Sequence, residues 1–480
     1  MGWAHPPGLG LVTANNRHDD ATALIARLGA GELTPVEAIE NAITECERTN
    51  PSLNALIHPR FDAALDQARR PVEGPLAGVP IAVKDLGCEQ AGEPHHRGAA
   101  FLAEIDWRGD HDSYLYRSLT EAGAVSIGRT NTPEFGTTIT TEPAAYGPTR
   151  NPSNLGFSPG GSSGGSAALV AAGVVPLAHG NDGGGSIRVP ASACGLVGLK
   201  VTRGRVSTGP RSGEHRGGFA VDGMLTRTVR DSALALDVIT RRWPGESIPT
   251  GGMQPWSELL GADIARLRIG VTKGRCHPDC GDAVDAAARA LETLGHDVVP
   301  DHAPEAWFDP EVTDQTIVMR TVGMARELES WEARIGRPLT EDDVEQSNWW
   351  SAEIGKTLSG TMYVAAQTWL RAWARRVASF WSACDLLLTP VLGAPPPPIG
   401  HLSDPVEGPG RLRELIGFVD QANVSGQPAI SVPMGLSAEG LPIGVQLVAA
   451  SAREDLLLAV AHQLEAADAF TPLSGLDLAS

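Results

Sequence analysis

Apolar residues recur along this chain with two periods, that of helices and that of strands, and the two alternate. The segment ATALIARL (21–28) has helical spacing, and a second helix is predicted to begin after Thr34. The apolar run GVPIAVKDLG (78–87) predicts a buried strand that ends at Lys84, and residues 113–136 predict a helix, a glycine stop and a strand. This alternation is typical of an α/β protein.

The alternation of helices and strands continues toward the C-terminus, except in one stretch of different composition. A helix and then a strand are predicted in 166–178 and 282–299, a helix in 230–239 and 453–467, a strand in 266–272, and a strand pair in 428–435 and 443–449. Residues 305–383 instead hold seven of the eleven tryptophans among long helical segments. We expect these helices to form either plain core or an apolar wall around a substrate.

The net charge of the chain excludes some classes of binding partner. Acidic residues number 57 against 38 basic ones, a net charge of −19, and the acids are scattered along the sequence. Such a surface repels nucleic acid and anionic lipid. The N-terminus has no export pattern, and no apolar run is long enough to span a bilayer. We therefore expect a soluble, cytoplasmic protein that binds neither nucleic acid nor a membrane.

The six cysteines are sparse and do not form a disulfide framework, which fits a reducing compartment. Cys276 and Cys280 in CHPDC have no second pair of ligands nearby, so no metal site is expected. Cys88 and Cys194 are interpreted as small buried apolar residues.

Three consecutive glycines stand directly before a serine in HGNDGGGSIRVP (179–190). Successive N–H groups without side chains can form a concave anion-binding nest. Such a nest could hold the oxyanion that forms when Ser186 attacks a carbonyl. On this stretch alone, a glycine-rich turn with a structural serine is an equally open interpretation.

A second glycine-flanked serine occurs in SPGGSSGGS (158–166), in a loop that opens a helix. A nucleophilic serine needs a base, and only four lysines exist in the chain. Lys84 ends an apolar strand, and a desolvated lysine has a lowered pKa and can accept a proton. A relay from Lys84 through Ser162 to Ser186 would need no histidine.

These motifs resemble the amidase signature family. The resemblance is carried by GVPIAVKD, GRTNTPEFG, PGGSSGGSAALVAAG and HGNDGGGSIRVPASACGLVGLK, in this order, and extends over residues 20–210 and 385–465. Segments such as TTEPAAYGPTRNPSNLG and NVSGQPAISVPMG are most similar to the branch of 6-aminohexanoate cyclic dimer hydrolases, the nylon-oligomer amidases. Asn181 stands where many members of the wider family have threonine.

The resemblance implies a role for each motif residue. Ser186 becomes the nucleophile and Lys84 the ultimate base. Ser162 becomes the bridging serine, with its peptide bond from Gly161 in the cis form. The oxyanion hole is implied to consist of the N–H groups of Gly183, Gly184, Gly185 and Ser186. No metal or organic cofactor is needed.

Five further assignments surround this relay. Ser163 is expected to hydrogen-bond to Lys84 or to the glycine cradle, the turn formed by residues 183–185, or else to cap the helix. Asp182 and Arg188 are expected to form an ion pair that supports the loop. Tyr146 and Gly161 are candidate substrate contacts.

Pattern and resemblance together predict one domain over residues 1–480, an α/β/α sandwich with a large mixed central sheet covered by helices. Helices at 19–56 are expected to precede a core formed by 60–214 and 385–467. Residues 215–384 are expected to be a variable helical region that forms the walls of the substrate pocket. A monomer or a homodimer is expected.

The implied activity is cleavage of C–N bonds in linear or cyclic amides, including aminohexanoate oligomers or aryl amides, through an acyl-enzyme. A urethanase that cleaves carbamates is the alternative, with ester hydrolysis as a side activity. An acidic surface and an apolar pocket favour an uncharged or cationic substrate over an anion. An amidotransferase subunit, a binding protein with a decayed site and a Gly-x-Ser-x-Gly nucleophile elbow in GSSGG (161–165) are remote alternatives.

Overall fold

The computed structural model of the chain describes residues 19–71, 73–246, 255–404 and 406–471. The N-terminal segment that lacks an export pattern in the sequence lies outside the described residues.

Eleven strands of the described residues form one mixed sheet. The strands are β1 Leu56–Pro59, β2 Pro80–Lys84, β3 Val125–Thr130, β4 Leu177–Asp182, β5 Val197–Lys200, β6 Val221–Thr226, β7 Arg268–Val271, β8 Asp297–Val299, β9 Leu386–Pro390, β10 Ala429–Leu436 and β11 Pro442–Ala449. Their order across the sheet is β1-β3-β2-β4-β6-β5-β10-β11-β9-β7-β8. The expected α/β architecture with a large mixed sheet is confirmed.

Helices cover this sheet. They are α1 Ala21–Gly29, α2 Pro35–Leu53, α3 Phe61–Ala68, α4 Ala100–Glu104, α5 Tyr114–Glu121, α6 Gly164–Ala171, α7 Arg188–Ala193, α8 Val229–Ile239, α9 Pro278–Thr293, α10 Glu311–Ile335, α11 Gln346–Thr357, α12 Gly360–Ala378, α13 Gly408–Leu415, α14 Asp420–Ser425 and α15 Glu454–Ala466. Short 3₁₀ turns include Glu134–Gly136 and Arg216–Gly218. None of the described helices is long and apolar enough to cross a membrane.

Local signals in the sequence explain where several of these elements begin and end. Thr34 caps α2 through a reciprocal pair of bonds, with its hydroxyl accepting from the Glu37 N–H at 3.2 Å and the Glu37 carboxylate accepting from the Thr34 N–H at 2.8 Å. The predicted strand at 78–87 is confirmed as β2, which ends at Lys84. The predicted pair at 428–435 and 443–449 is the antiparallel hairpin β10–β11.

The middle of the chain contributes one strand, β6, that its pattern did not indicate, besides β7 and β8 in the strand segments predicted at 266–272 and 282–299. The region 215–384, expected to be helical, thus also supplies three strands of the central sheet, β6, β7 and β8. Strand β6 lies between β4 and β5, antiparallel to both. Its sequence VDGMLT has no clear alternation because all six residues are buried.

Parallel pairing places the carboxyl ends of three strands at one edge. Strand β2 pairs in parallel with β3 and with β4, in a register that sets Ala82 opposite Ala178. Lys84 at the end of β2 therefore lies beside the last residues of β4. Crevices at the carboxyl ends of parallel strands are where ligands bind in open α/β sheets.

The tryptophan-rich helices belong in part to the core. Trp307 and Trp373 are buried in the cluster that packs α10 and α12 against the sheet. Trp331 is buried where α10 packs against α4 and α11, whereas Trp350 on α11 is half exposed. The interpretation of these residues as plain helix core therefore holds for the three buried rings.

Candidate active site

Lys84 is buried, and its amine has three oxygen partners. The Nζ atom lies 2.7 Å from Ser162 Oγ, 3.0 Å from Ser163 Oγ and 2.7 Å from Asn181 Oδ1. The Asn181 amide orientation is fixed because its Nδ2 donates to the Leu86 carbonyl at 2.8 Å. The expected hydrogen bond between Ser163 and Lys84 is therefore present.

The surroundings of Lys84 favour an uncharged amine. Desolvation lowers its pKa well below the ordinary value, the Arg216 guanidinium acts in the same direction, and the carboxylates of Asp222 and Asp182 oppose this only in part. A neutral amine has two N–H bonds and one lone pair. With Asn181 Oδ1 accepting one hydrogen, one serine hydroxyl accepts the other and the second hydroxyl donates to the lone pair.

Ser162 and Ser163 are held by a glycine-rich loop that packs tightly on its neighbours. The Gly161–Ser162 peptide bond is cis, as the family resemblance implied. A methyl group added at Gly161 would lie 2.5 Å from the Thr140 carbonyl oxygen, so this position accepts only glycine. Helix α6 begins at Gly164 and is buried on all sides, which fixes the two serines at its start.

Ser186 lies in the turn between β4 and α7 and is 7% exposed. Its hydroxyl forms no hydrogen bond with any residue that the structure describes. The Lys84–Ser162 half of the expected relay is thus present as a hydrogen bond, and the Ser162–Ser186 half is not.

The glycine cradle differs from expectation at one position. The Gly185 N–H donates to Asp182 Oδ1 at 2.7 Å, so this amide is already engaged. The amides of Gly183, Gly184 and Ser186 have no hydrogen-bond partner within the described ranges. An oxyanion hole at this turn would therefore comprise three donors and not the four that the family resemblance implied.

Close approaches explain the run of glycines. Gly185 has φ +110°, and a methyl group there would lie 2.7 Å from Cγ2 of Val419. A methyl group at Gly184 would lie 2.6 Å from Oδ1 of Asp420. The start of α14 thus packs directly on the turn that carries Ser186.

A buried ion pair fixes the same turn. Arg188 Nη2 and Nε lie 2.9 Å from the two oxygens of Asp182, and Arg188 also donates to Asn423 Oδ1 and to the Val419 carbonyl. Burial acts to raise the pKa of Asp182, but the Arg188 guanidinium outweighs it and holds the pKa well below its usual range. The expected supporting pair is present, and it anchors α14 as well as the loop.

The two candidate substrate contacts have structural surroundings of their own. The Tyr146 hydroxyl bonds to Nδ1 of His96 and lies 3.4 Å from Nε2 of His58, and it has no hydrogen bond to Ser162 or Ser186. Gly161 is buried against Thr140. Cys88 and Cys194 are buried, and burial raises the pKa of the Cys88 thiol to about 12, as expected of inert cysteines.

Sequence reasoning missed two residues of the site. Asn181 was identified as a departure from the family pattern but not as a partner of Lys84. No sequence pattern indicated Arg216 as a site residue, because it lies in a loop whose sequence, EHRGGFA, has neither periodicity nor a motif. A methyl group added at Gly183 would lie 3.6 Å from Arg216 Cδ, which places this side chain across the cradle.

The comparisons with known proteins agree with this fold and give the family of the chain. A family model described as Amidase matches residues 37–458, and the chain belongs to this family of amide hydrolases. It is 43% identical over 469 residues to 6-aminohexanoate-cyclic-dimer hydrolases of Pseudomonas sp. (strain NK87) and of Paenarthrobacter ureafaciens, covering 93% of this chain and 94% of each relative.

A solved structure, "Structure of 6-aminohexanoate cyclic dimer hydrolase complexed with substrate", matches with a TM-score of 0.91 and 41% identity. The match covers 96% of this chain and 99% of the other.

Proposed function

We propose that this amidase cleaves its substrate through an acyl-enzyme on Ser186, with Ser162 and Lys84 as the proton relay. The observation that carries the proposal is the 2.7 Å hydrogen bond between a buried Lys84 amine and the Ser162 hydroxyl. A desolvated amine with a lowered pKa is a base at neutral pH, and a hydroxyl in contact with it can pass a proton onward.

In the first half of the cycle, Ser186 Oγ attacks the amide carbonyl. Its proton moves to Ser162, whose own proton moves to Lys84. The oxyanion of the tetrahedral intermediate accepts hydrogen bonds from the unpartnered amides of Gly183, Gly184 and Ser186. One donor of this kind typically lowers the barrier by about 2.7–4 kcal/mol.

In the second half, the relay runs in reverse. Lys84 returns its proton through Ser162 to the nitrogen of the departing amine, because an amide anion is a very poor leaving group. Water then attacks the acyl-enzyme, again losing a proton to the relay, and Ser186 is released. Every proton that leaves a nucleophile in this cycle is returned to a leaving group.

The substrate class we propose is a linear or cyclic amide, including oligomers of the aminohexanoate type. The identity of 43% to two relatives named 6-aminohexanoate-cyclic-dimer hydrolases supports this choice. A carbamate has the same carbonyl with an amine leaving group, and an ester has a better leaving group than an amide. Urethanase and esterase activities should therefore be measured in the same test.

The test is a panel in which one acyl group is offered as amide, carbamate and ester to the wild type and to Ser186→Ala. We expect the wild type to hydrolyse the amide and Ser186→Ala to lose nearly all turnover of every member. Cys88→Ala, a buried substitution outside the relay, serves as the control and should keep most of its activity. Full activity in Ser186→Ala would refute the nucleophile, and turnover of the carbamate but not the amide would replace amidase by urethanase.

A further inference from the structure

Arg216 lies across the glycine cradle, and no carboxylate of the residues that the structure describes forms a salt bridge with it. Its Cδ is 3.6 Å from the position of a methyl group added at Gly183. Its guanidinium donates to the carbonyl of Phe135 and, at 3.5 Å, to that of Gly136. A methyl group added at Gly136 would in turn lie 2.9 Å from Ser162 Oγ. The side chain therefore extends from the cradle to the residues beside Ser162.

The guanidinium has capacity for a further ligand. It carries five N–H groups, and the two bonds above go to neutral carbonyls. Arg216 forms no ion pair with any carboxylate in the described part of the chain. The residue is exposed, yet the protein around it lowers its pKa to about 10, first by desolvation and then through the charge of Arg320. The residue is therefore accessible to solvent although protein surrounds part of it, and its guanidinium is charged at neutral pH.

The carboxylates near the cradle already have cationic partners. Arg320 Nη2 lies 2.5 Å from Asp420 Oδ1, next to Gly184. Glu327 accepts from Arg97 Nη1 at 2.8 Å and from the Trp331 indole at 2.9 Å. Glu327 also offsets part of the charge of Arg216 from a longer distance, but no carboxylate among the described residues is in ion-pair contact with Arg216.

We infer that Arg216 binds a carboxylate of the substrate, so that the preferred amide carries an anionic group a few bonds from the scissile carbonyl. This inference rests on the proposed function of the cradle. A planar guanidinium matches a carboxylate with two parallel hydrogen bonds. The short separation from Gly183 sets the spacing, since a carbonyl held in the cradle lies within a few bonds of the guanidinium. The preference is opposite to the uncharged or cationic substrate that the acidic composition suggested.

The test measures binding, so that it does not depend on turnover. Ser186→Ala is titrated calorimetrically with glutaric acid mono-4-nitroanilide and with the neutral analogue whose carboxylate is replaced by a carboxamide. We expect the carboxylate ligand to bind about 10–100-fold more tightly, the ratio given by a hydrogen bond to a charged group. Adding Arg216→Met should reduce the ratio to about one, and Arg216→Lys should retain part of it.

The control is Arg375→Met, at an exposed arginine of α12, which should leave the ratio unchanged. Equal affinity for the two ligands, no measurable binding of the carboxylate, or a ratio that survives Arg216→Met would each overturn the inference. Wild-type release of 4-nitroaniline tests the proposed function separately. A chain that prefers the carboxylate through Arg216 but hydrolyses no amide upholds the inference and refutes the relay.

Discussion

The amine of Lys84 and the hydroxyl of Ser162 lie 2.7 Å apart in the interior of the protein, although 78 positions separate them in sequence. Strand β2 brings the lysine to the carboxyl edge of the sheet, and the start of α6 brings the serine there. Burial makes the contact chemically useful, because it disfavours the ammonium form and leaves a lone pair on the amine.

Lys84→Met should abolish most turnover without unfolding the protein. Loss of a general base costs about 10²–10⁴-fold in rate, and we expect kcat for an amide to fall by that amount. Lys200→Met is the matched control, since Lys200 is also buried, with its pKa lowered to about 7, but its hydrogen bonds within the described residues go to the carbonyls of Val201 and Gln427 and not to the serines. It should lower the melting temperature while kcat stays within a few-fold of wild type. Equal kcat values for the two variants would remove Lys84 from the chemistry.

Arg216→Met should move the acidic limb of the kcat–pH profile to higher pH. Desolvation and the positive charge of Arg216 both disfavour the protonated form of Lys84. Removing the charge stabilises the ammonium, so the pKa of Lys84 rises and a higher pH is needed to deprotonate it. Arg216→Lys keeps a charge and should keep the limb near its wild-type position. The profile is measured with a neutral amide, and a limb that moves to lower pH would contradict the assignment.

Gly185→Ala should destabilise the turn that carries Ser186. Its φ of +110° disfavours any L side chain, and the new methyl would lie 2.7 Å from Val419 Cγ2. We expect a loss of about 2 kcal/mol or more in the free energy of unfolding, measured in urea. Gly323→Ala on α10 is the control, because nothing lies within 4 Å of its new methyl. That variant should gain about 0.5–1 kcal/mol from helix propensity.

Asp182→Asn should cost about 3–5 kcal/mol of stability, because it leaves the buried Arg188 guanidinium without its counterion. The double variant Asp182→Asn/Arg188→Met should lose less than the sum of the two single variants in urea unfolding. Additive losses would show that the two side chains do not act as a pair.

The same carboxylate gives a pH dependence of stability. The folded-state pKa of Asp182 lies below its unfolded value of about 3.9. The stability that this group contributes is therefore present above the unfolded pKa and is lost as the pH falls through the folded one. In Asp182→Asn, the free energy of unfolding should therefore fall less than in the wild type as the pH is lowered through this range.

The sequence by itself determined the parts of this protein that depend on near neighbours. The cap at Thr34, the strand that ends at Lys84 and the hairpin β10–β11 follow from residues a few positions apart. The motifs that contain Ser162 and Ser186 are likewise continuous, which is why the family and the general class of reaction could be predicted from them.

Only the tertiary structure decided which groups face one another across the sheet. The contact of Lys84 with Asn181 joins two strands 97 positions apart. The side chain of Arg216 reaches the cradle from a loop without any pattern, and Asp182 engages the Gly185 amide that the motif alone left free. Such contacts depend on strand order and on side-chain packing between distant segments. The periodicity of residues along the chain contains no information about strand order or about that packing.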